Sequence, residues 1–321
     1  MGSRRKKKPA NEIYELGRSP FAQRLTKRKL AELLRVDLHT LVGLVKYKTS
    51  FVTVKTVVEN GKPRPLQYPT GRLRVVNEKI NYQLKKIKLP VYVMSPRKGC
   101  GQKQNAEAHI EANQILKLDL RKFYPSISRT MIARFFRDKF DMHTDVAGLL
   151  TELLTFDGTI LYGAPATPVL AMLVHAEMFD RIDEVCKQHG AALTLWVDNL
   201  TISGDNVPGE ALKEIREIIA SYGHRSHDVE YACTNKIVQV TGIGVKQGRL
   251  HPANSGNVAI RDLEKELRQT TSPDEYEAIA NRLLSRLGSQ RHILGTKDAR
   301  GQAIANRMNA IRQKRWKVLQ S

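Results

Sequence analysis

Two carboxylates carry the first chemical signal. Asp119 lies near the end of the apolar run QILKLDL (114–120), and Asp198 follows about 80 residues later within LTLWVDNLTISG (193–204). Alternation in the first run puts Leu116, Leu118 and Leu120 on one face and Asp119 on the other, close to the strand's C-terminal end. In the second run Leu193, Leu195 and Val197 alternate, Asp198-Asn199 supplies turn chemistry, and Leu200 and Ile202 resume. That is the pattern of a hairpin with an Asp-Asn turn. Read locally, Asp198 is a turn residue, and Asp119 can cap the turn behind it. Read together, two Asp residues from different strands are what two-metal nucleotidyl transfer requires, with ions ~3.5–4 Å apart activating a 3′-oxygen and stabilising a leaving pyrophosphate. Carboxylate and phosphate oxygens suit Mg²⁺, so two Mg²⁺ ions are the expected cofactor.

The charge balance favours a polyanionic partner. Fifty-three Lys and Arg against 32 Asp and Glu give a net charge of +21 in 321 residues, with a pI near 10.0, and nucleic acid is the commonest intracellular polyanion. The excess is spread through RRKKK (4–8), KRK (27–29), KKIK (85–88), PRKGCGQK (96–103) and RQKRWK (312–317), which suits a long groove around a duplex. No run approaches the ~18 apolar residues of a membrane span. The basic start MGSRRKKKPANEIYELG has no apolar core behind it, so a secretory signal is not expected. Cys100, Cys186 and Cys233 form neither a disulfide framework nor a CxxC site, and a cytoplasmic location is expected.

The elements that must position Asp119 and Asp198 are interleaved irregularly, which predicts an α+β fold. Residues 1–18 read as a basic arm. SPFAQRLTKRKLAELLRVDLHTLVGLVK shows helical spacing, with Asp37 placed to cap a second helix. Two such helices could form a DNA-binding helix-turn-helix, but such a pair is more often ordinary helix packing, and one unit would leave the rest of the chain unexplained. From Phe51 the period becomes that of strands, with ENGK as a hairpin turn and Arg64, Arg72 and Arg74 on or beside the strands. VNEKINYQLKKIKL returns to helical spacing, and the loop SPRKGCGQKQ precedes NAEAHIEAN. After Asp119 come the turn RKFYPSIS and the helix RTMIARFFRDKF, with Ser126 or Ser128 as its cap. The loop before LAMLVHAEMF opens a long helix; beyond Asn254 the chain reads as helices.

In that order the blocks resemble a reverse transcriptase, most closely the bacterial retron type. LKLDLRKFYPSI is similar to the family's first catalytic motif, LYGAPATPVLAML to the nucleotide- and template-binding motif PQGxPxSPxLxNL, and LWVDNLTISG to YxDDLxxS. NAEAH (105–109) and VTG (240–242) fit two shorter retron signatures. The resemblance covers residue 25 to the C-terminus. It implies a right-hand polymerase with N-terminal helices and fingers over 19–115, a palm with an antiparallel sheet over 116–245, and a helical thumb over 246–321. It implies an RNA-directed DNA polymerase with Asp119 and Asp198 as metal ligands and Asn199 in the catalytic doublet. Tyr124 would be the aromatic that rejects a ribose 2′-OH, and Tyr162 and Gly163 would face the incoming nucleotide. The implied partners are dNTPs, a structured noncoding RNA serving as template and primer, an RNA–DNA hybrid and an effector protein in antiphage defence.

The departures are specific. Asn199 stands where the family has a second Asp, Trp196 replaces Tyr, Tyr162 replaces Gln, Ala166-Thr167 replaces a Ser-containing pair and Met172 replaces Asn. Asn199 removes one negative charge but keeps an amide oxygen able to ligate a hard cation, and polymerases of some negative-strand RNA viruses carry Gly-Asp-Asn there. In this frame Arg64 and Arg74 are expected to grip the triphosphate, because Arg binds phosphate bidentately. Lys98 and Lys103 are expected at template phosphates, and Asn105 and His109 at the structured RNA. The rival expectations are another defence-associated reverse transcriptase with a different template, and a catalytically impaired RNA-binding scaffold.

Overall fold

The computed structural model describes residues 13–59 and 61–318, and the side chains of 59, 62, 64, 65 and 315–318 are not described. Most of the basic arm, Asn60 of the expected ENGK turn and the side chain of Arg64 therefore lie outside the described residues. Helices and antiparallel strands are mixed along the chain, as α+β patterning predicts. They form two compact units: one built from residues up to 97 with 120–182 and 215–227, the other from 98–119, 183–214 and 228 onward.

The first unit begins with the helices Lys27–Leu34 and Leu38–Lys46. Asp37 caps the second, accepting the Thr40 N–H at 2.7 Å. The hairpin strands Val52–Glu59 and Lys62–Pro69 pair throughout, Val57 opposite Arg64. Strand character stops at Pro69. The segment TGRLRVV, expected as strand, instead opens the helix Gly71–Leu84, because Leu73, Val76, Ile80 and Leu84 recur at helical spacing and bury one face. Arg74 is thus a helical residue. The helices Arg129–Lys139 and Thr144–Leu154 follow, the first capped by Ser128, which accepts the Met131 N–H at 3.2 Å. Phe21, Phe135, Phe136 and Phe140 interlock nearby with ring centroids 5.3–6.3 Å apart.

In the second unit four strands lie side by side in the order Ala192–Trp196, Asn199–Gly204, Gln114–Leu120, Ser226–Cys233. Leu116, Leu118, Leu193, Leu195, Leu200 and Ile202 are all buried, so period-two alternation gives this sheet a continuous apolar face. A second sheet joins Val238–Val240, Ile243–Lys246 and Arg249–Pro252, and its Val238, Val240, Ile243 and Val245 pack with Ala106 and Ile115. The helices Asn254–Gln269, Pro273–Leu294 and Ala299–Val318 complete the unit around Leu263, Leu283, Leu287, Ile304 and Met308. Among the described residues no helix is long and apolar enough to cross a membrane. Cys100, Cys186 and Cys233 form no disulfide with one another.

Candidate functional site

Antiparallel register places the carboxylate pair. Asp119 is directly opposite Asn199, and Asn199 is directly opposite Trp196, so the three form one row across three strands. Directly opposed side chains project from the same face with Cβ atoms about 5 Å apart. Lys117, Thr201 and Thr194 make the next row on that face. Lys117 is held by Glu230 at 2.8 Å and by the Gln239 carbonyl at 3.1 Å.

The hairpin turn is Val197-Asp198, one residue earlier than the expected Asp-Asn turn. Trp196 and Asn199 pair as the last ladder rung, which leaves Val197 at φ 61. Positive φ at the first turn position and not at the second is the type II′ pattern, where Gly is the usual residue. A β-branched Val there stores about 1–3 kcal/mol of backbone strain. The shift puts Asp198 in the turn itself and Asn199 on the strand. The Asn199 side-chain N–H donates to the Asp198 carboxylate at 3.0 Å, which orients the amide and leaves its oxygen available.

This donor set fits a hard divalent cation: two carboxylates and one amide oxygen supplied by one cross-strand row and the adjoining turn, with Asp119 and Asp198 half-buried. Among the described residues no group of three or more His, Cys, Asp or Glu could hold a metal. A cation here would therefore complete its shell with phosphate and water oxygens, as Mg²⁺ commonly does.

The other expected residues divide between the units. In the second unit, Lys98 is exposed and Lys103 pairs with Glu107 at 3.5 Å. Asn105 and His109 are buried. The Asn105 amide donates to the Thr241 hydroxyl at 3.1 Å, tying NAEAH to VTG. The His109 ring bridges the two hairpin strands, with Nδ1 2.7 Å from Ser203 Oγ and Nε2 2.7 Å from Thr194 Oγ1. Burial pushes its pKa down to about 4, so it clamps the hairpin as a neutral ring.

In the first unit, Tyr124 lies in the short helix Phe123–Ser126, its ring 5.6 Å from that of Phe123. Tyr162 is half-buried, and burial together with Asp157 raises its phenol pKa. Gly163 donates its N–H to the Gln67 carbonyl at 2.7 Å. A Cβ added there would come within 3.0 Å of that carbonyl oxygen and of Tyr68 Cβ, so only glycine lets this loop dock on the hairpin strand. Arg74 is exposed and ion-paired with Glu78 at 3.0 Å one helical turn along, so binding a phosphate requires leaving that partner.

Sequence reasoning missed Val197, because the Asp-Asn pair carries the stronger turn signal. It also missed His175 and His224, which meet in the first unit although 49 residues apart. Isolated histidines in helical surroundings give no local signal.

No protein-family model matches the chain. It is similar to the Retron Se72 reverse transcriptase of Salmonella heidelberg (strain 579083-10), 25% identical over 201 residues that cover 59% of this chain and 53% of that protein. It is 26% identical to the Retron Mx65 reverse transcriptase of Myxococcus xanthus over 194 residues, 54% of this chain and 44% of that protein. The Retron Ec86 reverse transcriptase of Escherichia coli is 30% identical over 103 residues, 32% of each chain. The chain thus spans about half the length of the first relative and less of the other two. Over somewhat more than half of its own residues, this chain is homologous to retron-type reverse transcriptases.

Proposed function

We propose that the protein is an RNA-directed DNA polymerase of the retron type. The observation that carries the proposal is the register of Asp119 against Asn199 with Asp198 in the adjoining turn, on a sheet whose strands lie within a chain homologous to retron reverse transcriptases. In this reading the fold is a right hand, with fingers over residues 19–115, palm over 116–245 and helical thumb over 246–321. Asp119, Asp198 and the amide oxygen of Asn199 would hold the divalent cations. Bound there, two Mg²⁺ ions would supply charge neutralisation at the attacking and leaving oxygens.

The chain's own residues then take separate roles. The half-buried Tyr124 ring selects the deoxyribose sugar. Tyr162 and the Gly163 loop bound the nucleotide site, and Arg64 and Arg74 neutralise triphosphate oxygens. Lys98 and Lys103 meet template phosphates. His109 keeps the two hairpin strands in register, so that the carboxylates are presented at a fixed place. The net charge of +21 supports a nucleic-acid partner. Resemblance to retron enzymes supports a structured noncoding RNA as template and primer, an RNA–DNA hybrid as product, and service with an effector protein in antiphage defence.

A second reading has one observation in its favour. The Asn199 N–H bonded to Asp198 removes a charge and occupies one acceptor of the remaining carboxylate, which suits an RNA-binding scaffold with impaired catalysis. Purification with bound nucleic acid, followed by sequencing, separates the two. A single RNA species carrying attached or paired cDNA supports the polymerase. The same RNA with no DNA under any dNTP and Mg²⁺ condition supports the scaffold.

A further inference from the structure

Beneath the helix that carries Tyr124, two buried histidines face each other. His175 Nε2 and His224 Nε2 are 2.8 Å apart, and the two residues are only 1% and 4% exposed. Their proton pattern follows from their neighbours. His175 Nδ1 lies 2.9 Å from the Ala171 carbonyl, which can only accept, so Nδ1 carries the hydrogen. Burial pushes the His175 pKa down to about 4 and lowers that of His224, so both rings are neutral near pH 7. His175 Nε2 is then an acceptor, and the His224 Nε2–H must donate to it. That leaves His224 Nδ1 as an acceptor, 3.0 Å from the Ser126 hydroxyl, whose single hydrogen is shared between this nitrogen and the Phe123 carbonyl 2.8 Å away.

Ser126 ends the short helix Phe123–Ser126. The same two imidazoles pack against the buried Phe123 ring, with centroids 5.2 Å and 5.9 Å away, and Phe123 in turn supports the Tyr124 ring at 5.6 Å. A second tether lies beside the first: the Arg121 N–H donates to the Arg225 carbonyl at 2.8 Å. Between the tethers Lys122 is held at φ 52, a left-handed conformation uncommon for a residue with a side chain. Residues 121–126 are therefore gripped at both ends by His224 and Arg225.

His224 is itself rigidly placed. The helix Gly209–Ser221 ends in a Schellman motif, with Gly223 at φ 79, its N–H bonded to the Ala220 carbonyl, and the His224 N–H bonded to the Ile219 carbonyl. His175 stands at the C-terminal cap of Thr167–Val174, the helix that leaves the Tyr162–Gly163 loop. The histidine pair thus joins the segment that bears Tyr124 to the helix that leaves the nucleotide loop.

We infer that His224, braced by His175, is a positioning residue for Tyr124: through Ser126 and Phe123 it fixes the ring that discriminates deoxyribose from ribose. The inference rests on the sugar-selecting role proposed above for Tyr124. Two neutral, buried imidazoles tied through the Ser126 hydroxyl to the Phe123 carbonyl suit this task, because packed aromatic layers held by hydrogen bonds have few alternative arrangements.

The test compares kcat/KM for a dNTP and the matching rNTP in the full-length protein, alongside the thermal midpoint. Tyr124→Ala should lose most discrimination. His224→Ala should lower it about tenfold, the weight of roughly one hydrogen bond, chiefly by easing rNTP use. His224→Gln, which keeps a donor for His175, should recover most of the ratio. If Tyr124→Ala loses discrimination and His224→Ala keeps it, the positioning role is wrong and the Tyr124 reading survives. If Tyr124→Ala itself changes nothing, the sugar-selecting reading falls and the inference with it. Should His224→Ala fail to fold, Ser126→Ala removes only the hydroxyl, and an unchanged ratio there overturns the inference.

Discussion

Replacing Gly163 by Ala introduces one methyl group at a place where two backbones touch. The added Cβ would fall within 3.0 Å of the Gln67 carbonyl oxygen and sit 2.9 Å from Tyr68 Cβ. Contacts that close are essentially never adopted, so the loop must retreat by roughly 0.5–1 Å. The Gly163 N–H to Gln67 bond, now 2.7 Å, then stretches beyond useful length. Losing that bond costs about 1 kcal/mol if the loop lifts, and forcing the methyl into packed surroundings costs about 1–3 kcal/mol if it stays down. The expected cost is therefore about 1–3 kcal/mol, nearer 1 kcal/mol with the loop lifted and its docked geometry lost. Urea unfolding reads the first, and the KM for dNTP reads the second, with a rise of at least about tenfold expected for a displaced binding loop. Gly148→Ala is the control. It lies inside the helix Thr144–Leu154 with nothing within 4 Å of an added Cβ, so it should be neutral or stabilising by up to about 1 kcal/mol. A Gly163→Ala protein that melts and binds dNTP like wild type would refute the close-approach explanation.

Acid should weaken the fold well above the carboxylate range. His109 and His175 are held neutral with pKa values near 4 against 6.5 in the unfolded chain, so the unfolded state gains protons first as pH falls. Stability should drop from about pH 6.5 and level off below about pH 4, by roughly 2 kcal/mol per residue between pH 7.5 and 5, and a flat urea midpoint across that range would contradict the burial of these rings. Val197→Gly should relieve the strain at φ 61, stabilising the protein by about 1 kcal/mol after the entropic cost of glycine, while polymerisation slows because the turn is less constrained. A lower melting temperature would argue against strain there. Asn199→Asp removes the donor to Asp198 and sets like charges opposite Asp119, so in EDTA it should destabilise by about 1–2 kcal/mol. Mg²⁺ should restore more stability to this variant than to wild type; equal Mg²⁺ responses would show that position 199 does not face the cation.

Much of the scaffold was legible because local rules and tertiary packing agree. Alternation in QILKLDL predicts the buried face of Leu116 and Leu118, and the caps Asp37 and Ser128 stand where side-chain chemistry puts them. Reading failed where a long-range partner decides. Ladder register, with Trp196 opposite Asn199, moves the turn back by one residue against the stronger Asp-Asn signal. TGRLRVV has strand-like composition, yet its buried Leu73 and Val76 continue the spacing of Ile80 and Leu84, and tertiary burial selects the helix. The contacts that bring Thr194 and Ser203, some 90 positions away, around the His109 ring leave no trace in NAEAH itself. Nothing in the local sequence joins His175 to His224, since a neutral imidazole pair is specified only by the packing that buries it.

The most direct measurement is primer extension on an RNA template with dNTPs and Mg²⁺, comparing wild type with Asp119→Ala and Asp198→Ala proteins of matched circular dichroism. Wild type should extend the primer, and each variant should lose at least about a hundredfold in rate, the usual consequence of removing a group that stabilises the transition state. Extension by either alanine variant at the wild-type rate would contradict the assignment of these two carboxylates.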